Sequence, residues 1–89
     1  MNSDIRFPRT LATLDEIRTR VAFAFGRNFL CRDIQFDVIS MPRLGQGANW
    51  TIRMQHVEPD ALWEASEIVS DIQDAYFLID KYSILSHAA

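Results

Sequence analysis

The sequence has a single cysteine, Cys31, among its 89 residues. One cysteine excludes an internal disulfide and a zinc site built from several cysteines of one chain. No stretch approaches the roughly 18 consecutive apolar residues of a membrane-spanning helix, and the N-terminal segment lacks the apolar run of a secretory signal. We therefore expect a cytoplasmic protein with a reduced thiol and no membrane contact.

Repeats, low-complexity tracts and linkers are also missing. A chain of this length fits one domain, residues 1–89, and its hydrophobic fraction of 48% is too high for a disordered chain. A domain this small buries only about 60–65% of the surface of its unfolded chain. We expect one core and modest stability, to which a bound partner could add.

Nucleotide-binding motifs are incomplete. The stretch RLGQGANW, from Arg43 to Trp50, has two glycines but lacks the third glycine of a dinucleotide fingerprint and the Gly-Lys-Ser/Thr of a P-loop. A strand-like alternation follows the glycines, whereas a phosphate site needs a helix there. The stretch is therefore interpreted as a hairpin connection. Its length, Met41 to Ala48, keeps Arg43 as a candidate contact for an anion.

The first helix is predicted from Thr13, because Thr13 and Glu16 have the spacing of a capping box. Gly26 or Asn28 can end it. Before it, Ser3 to Phe7 reads as a short strand closed by a proline. The inward face of the helix is formed by Leu14, Ile17, Val21, Ala24 and Phe25. Phe23 is on the opposite side, among Glu16, Arg20 and Arg27.

Two strands with alternating polarity follow, from Asp33 to Ser40 and from Asn49 to His56. An antiparallel hairpin joins them most economically. Their apolar faces coincide if facing residue numbers sum to an even value such as 88 or 90, and the sum of 90 would place Asp37 opposite Arg53 as an ion pair. The predicted inward residues are Ile34, Phe36, Val38, Trp50, Ile52 and Met54.

The longest helix is predicted to start at Pro59, with proline in its first turn, and to continue through Ile79. Its apolar face comprises Leu62, Ala65, Ile68, Val69, Ile72, Ala75, Tyr76 and Ile79. An acidic ridge lies opposite, formed by Asp60, Glu64, Glu67, Asp71 and Asp74. A third stripe, on a flank, contains Trp63, Ser70 and Phe77 at intervals of seven residues.

These segments predict an α+β fold of order β-α-β-β-α, with two helices packed on one face of an antiparallel sheet. The alternative is a ferredoxin-like fold with a further strand at 81–86. We favour the shorter version, because no glycine or proline separates the long helix from residues 81–86.

No catalytic residue, metal ligand set or cofactor site is expected. Cys31 is interpreted as a small buried residue, and His56 as a strand-end residue without the partners that catalysis requires. The carboxylates of the long helix lie along one exposed face, where they stay solvated and ionised. We therefore expect a protein that is not an enzyme.

Charge is unevenly divided along the chain. Residues 1–45 hold seven arginines and five acids, whereas residues 46–89 hold two basic residues and seven acids. Opposite fields favour contact between the two halves, within one chain or between chains. Exposed aromatic residues commonly anchor partners. The candidate interface residues are Phe23, Trp63, Ser70, Phe77, Arg20 and Arg27.

The leading hypothesis is a non-catalytic interaction module that forms a homodimer, or binds another protein, through its helical layer. One alternative is an anion-binding or small-ligand domain, or an enzyme subunit, with a site near Arg43 and His56. A second alternative is weak nucleic-acid binding through Arg18, Arg20 and Arg27, which would be salt-sensitive. The aromatic sheet face does not favour RNA, because the helices must cover it.

Overall fold

A computed structural model of the chain describes residues 9–42 and 47–79. Its elements, in chain order, are β1 (Thr10–Ala12), α1 (Leu14–Gly26), β2 (Gln35–Ser40), β3 (Trp50–Gln55), α2 (Pro59–Ala75) and β4 (Tyr76–Leu78). The predicted α+β class is confirmed. The strand expected at residues 3–7, the alternative strand at 81–86 and the candidate contact Arg43 all lie outside the described residues.

The start of α1 is fixed by the predicted capping box. The Glu16 amide donates to the Thr13 hydroxyl at 3.1 Å, and the Thr13 amide donates to the Glu16 carboxylate at 2.8 Å. These two bonds satisfy amide groups that a helix start otherwise leaves without partners. One face of the helix buries Ile17, Val21 and Phe25 in the core, as the spacing predicted.

The β2–β3 hairpin has the register in which facing residue numbers sum to 90, one of the even values that were predicted. Facing residues run from Gln35 opposite Gln55 to Ser40 opposite Trp50, so Asp37 faces Arg53. The glycine-containing stretch thus connects two antiparallel strands. The expected Asp37–Arg53 ion pair is not among those formed by the described residues, because both side chains are exposed and water solvates them.

The predicted end of the long helix is wrong. Helix α2 stops at Ala75, and Tyr76 takes an extended conformation, with φ −135° and ψ 140°. Residues 76–78 then pair in parallel with β1, which places Tyr76 beside Thr10 and Leu78 beside Ala12. Tyr-Phe-Leu fits a strand as well as a helix. The presence of β1 as a pairing partner decides between the two, and the sequence pattern did not reveal that strand.

The buried face of α2 is rotated from the predicted one. Ala61, Ala65 and Val69 are buried, whereas Leu62 is 44% exposed. The small side chains of Ala61 and Ala65 allow neighbouring segments to approach the helix closely. The Cys31 thiol reaches the Ala61 carbonyl at 3.7 Å. Ala75, also predicted to be inward, is exposed.

The strands of the described residues form two separate two-stranded ladders, β1–β4 and β2–β3, where one antiparallel sheet was expected. Side chains link them. The Asn49 carboxamide accepts from the Leu78 amide at 2.9 Å and donates to the Leu78 carbonyl at 2.8 Å. The Trp50 indole donates to the Tyr76 carbonyl at 3.0 Å. Trp50 is fully buried, at the centre of a core that both ladders and both helices share.

Candidate interaction surface

Phe23 lies on the solvent side of α1, as its position in the helical period predicted. Its side chain is 66% exposed. Arg20 and Arg27 are three residues before it and four after it, which places them on the same helix face. The Arg27 guanidinium lies 5.5 Å from the centroid of the Phe23 ring, a cation–π contact. This face of α1 therefore presents an aromatic ring between two positive charges, and we call it the basic face.

A groove with a volume of about 510 Å³ adjoins the basic face. The described residues that line it lie on successive turns of α1: Asp15, Glu16, Thr19, Arg20 and Phe23. Hydrogen bonds from the Thr13 backbone and hydroxyl, and the charge of Arg20, hold the pKa of the Glu16 carboxyl below its ordinary value. Glu16 is thus ionised at neutral pH and committed to the helix cap.

Trp63 lies on the solvent side of α2 and is 70% exposed. Asp60 and Glu67, three residues before it and four after it, lie on the same helix face and are exposed. Ser70, seven residues after Trp63, continues this face and is exposed too. Here an aromatic ring lies between two negative charges, and we call this surface the acidic face.

The third predicted member of that stripe, Phe77, is not on the helix. It belongs to β4, where it is half-buried and faces Leu11 in the ladder. The Arg9 guanidinium lies 4.8 Å from its ring centroid. Phe77 was placed on the helical flank because the seven-residue spacing was extended past the true end of α2. The acidic face therefore contains Trp63 and Ser70 without Phe77.

Sequence reasoning missed an exposed apolar segment after α1. Phe29 is 78% exposed and Leu30 is 46% exposed. The Asn28 side chain holds this segment against α2, because its Oδ1 accepts from the backbone amides of Leu30 and Cys31, and its Nδ2 donates to the Glu64 carboxylate at 3.2 Å. No helical or strand period includes Phe29 and Leu30. The available signal was an apolar pair directly after the predicted helix end.

Glu64 departs from the predicted acidic ridge. It is half-buried against Asn28, whereas the other four ridge carboxylates are exposed: Asp60, Glu67, Asp71 and Asp74. Asp74 also lies 3.8 Å from the guanidinium of Arg9. The ridge is therefore a solvated surface except at Glu64, which bonds to Asn28 beside the exposed segment Phe29–Leu30.

The arginines named for nucleic-acid binding have local partners. Arg18 forms an ion pair with Asp15 at 2.9 Å. The Arg20 guanidinium lies 5.2 Å from the Tyr76 ring centroid, and that of Arg27 stacks on Phe23. Stacked guanidinium groups keep the N–H donors at their edges available. These edges can bind carboxylates or phosphates, so weak nucleic-acid binding stays a prediction.

His56 and Cys31 are the other candidate groups that the structure describes. His56 was expected at the end of the inward strand face, but it is exposed and has a left-handed backbone, with φ 50°. Burial, followed by the Glu64 carboxylate, raises the pKa of the Cys31 thiol, so this buried thiol is protonated at neutral pH. Within residues 9–42 and 47–79, no group of three His, Cys, Asp or Glu side chains is placed to hold a metal ion.

Comparison with protein-family models, curated proteins and solved structures found no match to this chain. Within residues 9–42 and 47–79, no helix has the length and apolar character of a membrane-spanning segment.

Proposed function

We propose that this chain is a non-catalytic protein-interaction module that self-associates, as a dimer, through its helical layer. The observation that carries the proposal is the exposure of Trp63 and Phe23, at 70% and 66%, on the solvent sides of the two helices. Large aromatic side chains are the commonest anchors of protein interfaces. Neither residue supports the core of its own chain, so an interface role explains their presence.

The exposed area sets the expected strength. Phe and Trp side chains bury about 150–250 Å² each when covered, so the exposed parts of Phe23, Phe29 and Trp63 together offer roughly 400 Å². A stable complex of standard size buries about 800 Å² on each partner. The aromatics supply about half of this, and polar neighbours must supply the rest. We therefore expect a dissociation constant on the order of micromolar, weaker than that of an obligate dimer.

A cytoplasmic location fits this proposal, because the buried thiol of Cys31 needs no oxidising compartment.

Sedimentation velocity across concentration, from low to high micromolar, tests the proposal. The wild-type chain should shift from monomer to dimer. Trp63→Ala removes one tryptophan ring from each copy and should weaken association about thirtyfold or more, which corresponds to about 1 kcal/mol for each ring. Leu11→Ala is the matched control, because Leu11 is also an exposed apolar residue, at 65%, but lies on β1. A wild-type chain that stays monomeric at high micromolar concentration would refute the proposal.

A further inference from the structure

The basic face and the acidic face have the same layout with opposite charge. On α1 the order is Arg20, Phe23, Arg27, and on α2 it is Asp60, Trp63, Glu67. In both, the charged residues are three before and four after the aromatic residue, so each pair spans about 10 Å along its helix at 1.5 Å per residue. When the two rings are placed side by side, each guanidinium lies opposite a carboxylate whether the two helices run parallel or antiparallel. In the antiparallel case the facing charges are displaced along the helix axis by one residue, about 1.5 Å.

The two faces do not cover each other within one chain. Phe23 and Trp63 are each about two-thirds exposed, and the described ion pairs join other residues, Arg9 with Asp74 and Arg18 with Asp15. The contact between the helices uses their other sides, where Val21 and Ala65 enter the core. Both complementary faces are therefore open to another molecule.

We propose that the partner of each face is the opposite face of a second copy of this chain, an inference that rests on the proposed self-association. The basic face of α1 in one copy covers the acidic face of α2 in the other, and a two-fold axis repeats the contact. Under this two-fold symmetry the two contacts close a dimer and leave neither face open. Phe23 then packs beside Trp63 of the second copy, and four arginines meet four carboxylates.

The stacked arginines suit this role. Arg27 lies over Phe23 and Arg20 lies over Tyr76, so both guanidinium groups are held by an aromatic ring before a partner arrives. A planar guanidinium can stack on a ring and still bind a carboxylate through its edge. Such preorganisation lowers the entropy lost on association. Since the charges are solvent-exposed, salt should weaken the dimer.

Charge reversal on each face tests the pairing. One variant carries Arg20→Glu with Arg27→Glu, so that both of its faces are acidic, and the other carries Asp60→Lys with Glu67→Lys, so that both are basic. Each variant alone should self-associate at least about tenfold more weakly than the wild type, because like charges then meet in both contacts. An equimolar mixture should form a heterodimer of wild-type strength, since every contact again joins opposite charges.

Placing all four substitutions in one chain gives a second test. This chain has its charges exchanged between the faces, so it should form a homodimer again. In a like-with-like arrangement, α1 on α1 and α2 on α2, like charges meet already in the wild type, so neither charge-reversed variant alone would associate more weakly than the wild type. The control is Arg53→Glu, because Arg53 is an exposed arginine on β3, outside both faces. Circular dichroism confirms that each variant is folded, and sedimentation velocity at low and high salt measures association.

The outcomes separate this inference from the proposed function. If Trp63→Ala weakens association but the charge-reversed variants associate like the wild type, the pairing of faces is wrong and self-association stands. Folded variants that stay monomeric when mixed also overturn the pairing, as does growth of the wild-type chain beyond a dimer. A wild-type chain that never associates overturns both proposals.

Discussion

Replacing Asn49 with alanine should uncouple the two ladders of the fold. In a parallel pair of strands, every second residue forms its backbone hydrogen bonds with the neighbouring strand. Ile79, directly after β4, is such a residue, because its amide donates to the Ala12 carbonyl of β1 at 2.9 Å. Leu78 and Tyr76 therefore direct their backbone groups away from β1. The carboxamide of Asn49 is the partner for both groups of Leu78, at 2.8 and 2.9 Å.

The size of the effect follows from these two bonds. A buried backbone group that loses its only partner costs about 1–3 kcal/mol. Leu78 is buried, but Asn49 is half-buried, so water can reach part of the space that alanine leaves. We expect Asn49→Ala to lower the free energy of unfolding by about 2–3 kcal/mol, a large share of the roughly 5–15 kcal/mol typical of small domains.

Urea denaturation followed by circular dichroism, at a protein concentration at which the chain is monomeric, measures this loss. Gln55→Ala, at the exposed far end of β3, is the control and should change stability by less than about 0.5 kcal/mol. Asn49→Asp keeps the acceptor for the Leu78 amide but sets an oxygen against the Leu78 carbonyl, so it should be at least as harmful as alanine at neutral pH. Hydrogen exchange at Leu78 should accelerate in both variants. A loss below about 0.5 kcal/mol for Asn49→Ala would show that the ladders are held together by other contacts.

Two further predictions concern the helix cap and the buried thiol. Thr13→Ala should lower the free energy of unfolding by about 1 kcal/mol in thermal or urea denaturation. The cap should also depend on pH, because the pKa of Glu16 is lower in the folded chain than its ordinary value of 4.5. The stability that ionised Glu16 adds should be present above pH 4.5 and lost as the pH falls through the lower folded pKa. An equally stable Thr13→Ala at neutral pH would contradict the role of the cap. For Cys31 the pH dependence has the opposite direction, because its folded pKa is raised above the ordinary value of 9.0. The free energy of unfolding of the wild type, measured relative to that of Cys31→Ala, should be constant below pH 9.0 and decline as the pH rises above it. Parallel stability curves for the two chains from neutral to alkaline pH would count against this burial effect.

Local patterns in the sequence predicted the elements that depend on a short spacing or on a regular period of apolar residues. The capping box at Thr13, the inward face of α1 and the antiparallel hairpin were predicted and are confirmed. The hairpin has one of the even-sum registers left open, with Asp37 opposite Arg53. Each depends on contacts between residues close in sequence or on a strict period. The position of Phe23 on the solvent side could be predicted for the same reason, because a helix period assigns outward residues as well as inward ones.

The errors arose where distant segments compete with a local pattern. The helical period extends through Ile79, but α2 ends at Ala75 because β1 offers residues 76–78 a strand partner. Strand β1 itself has three residues, too few for an alternation to be recognised. Phe77 was assigned to the wrong surface as a result. The buried face of α2 includes Ala61, whose carbonyl the Cys31 thiol contacts, and no period encodes a contact between segments this far apart.

The sequence by itself determined the α+β class, the capped first helix, the antiparallel hairpin with its apolar faces in phase, and the opposite charges that surround Phe23 and Trp63. These follow from periodicity and spacing, which act over a few residues. Only the tertiary structure decided where α2 ends, that Asn49 joins two separate ladders, and that Phe29 and Leu30 are exposed. Such features depend on which distant backbone groups and surfaces meet, and burial and hydrogen bonding select those contacts only when the whole chain has folded.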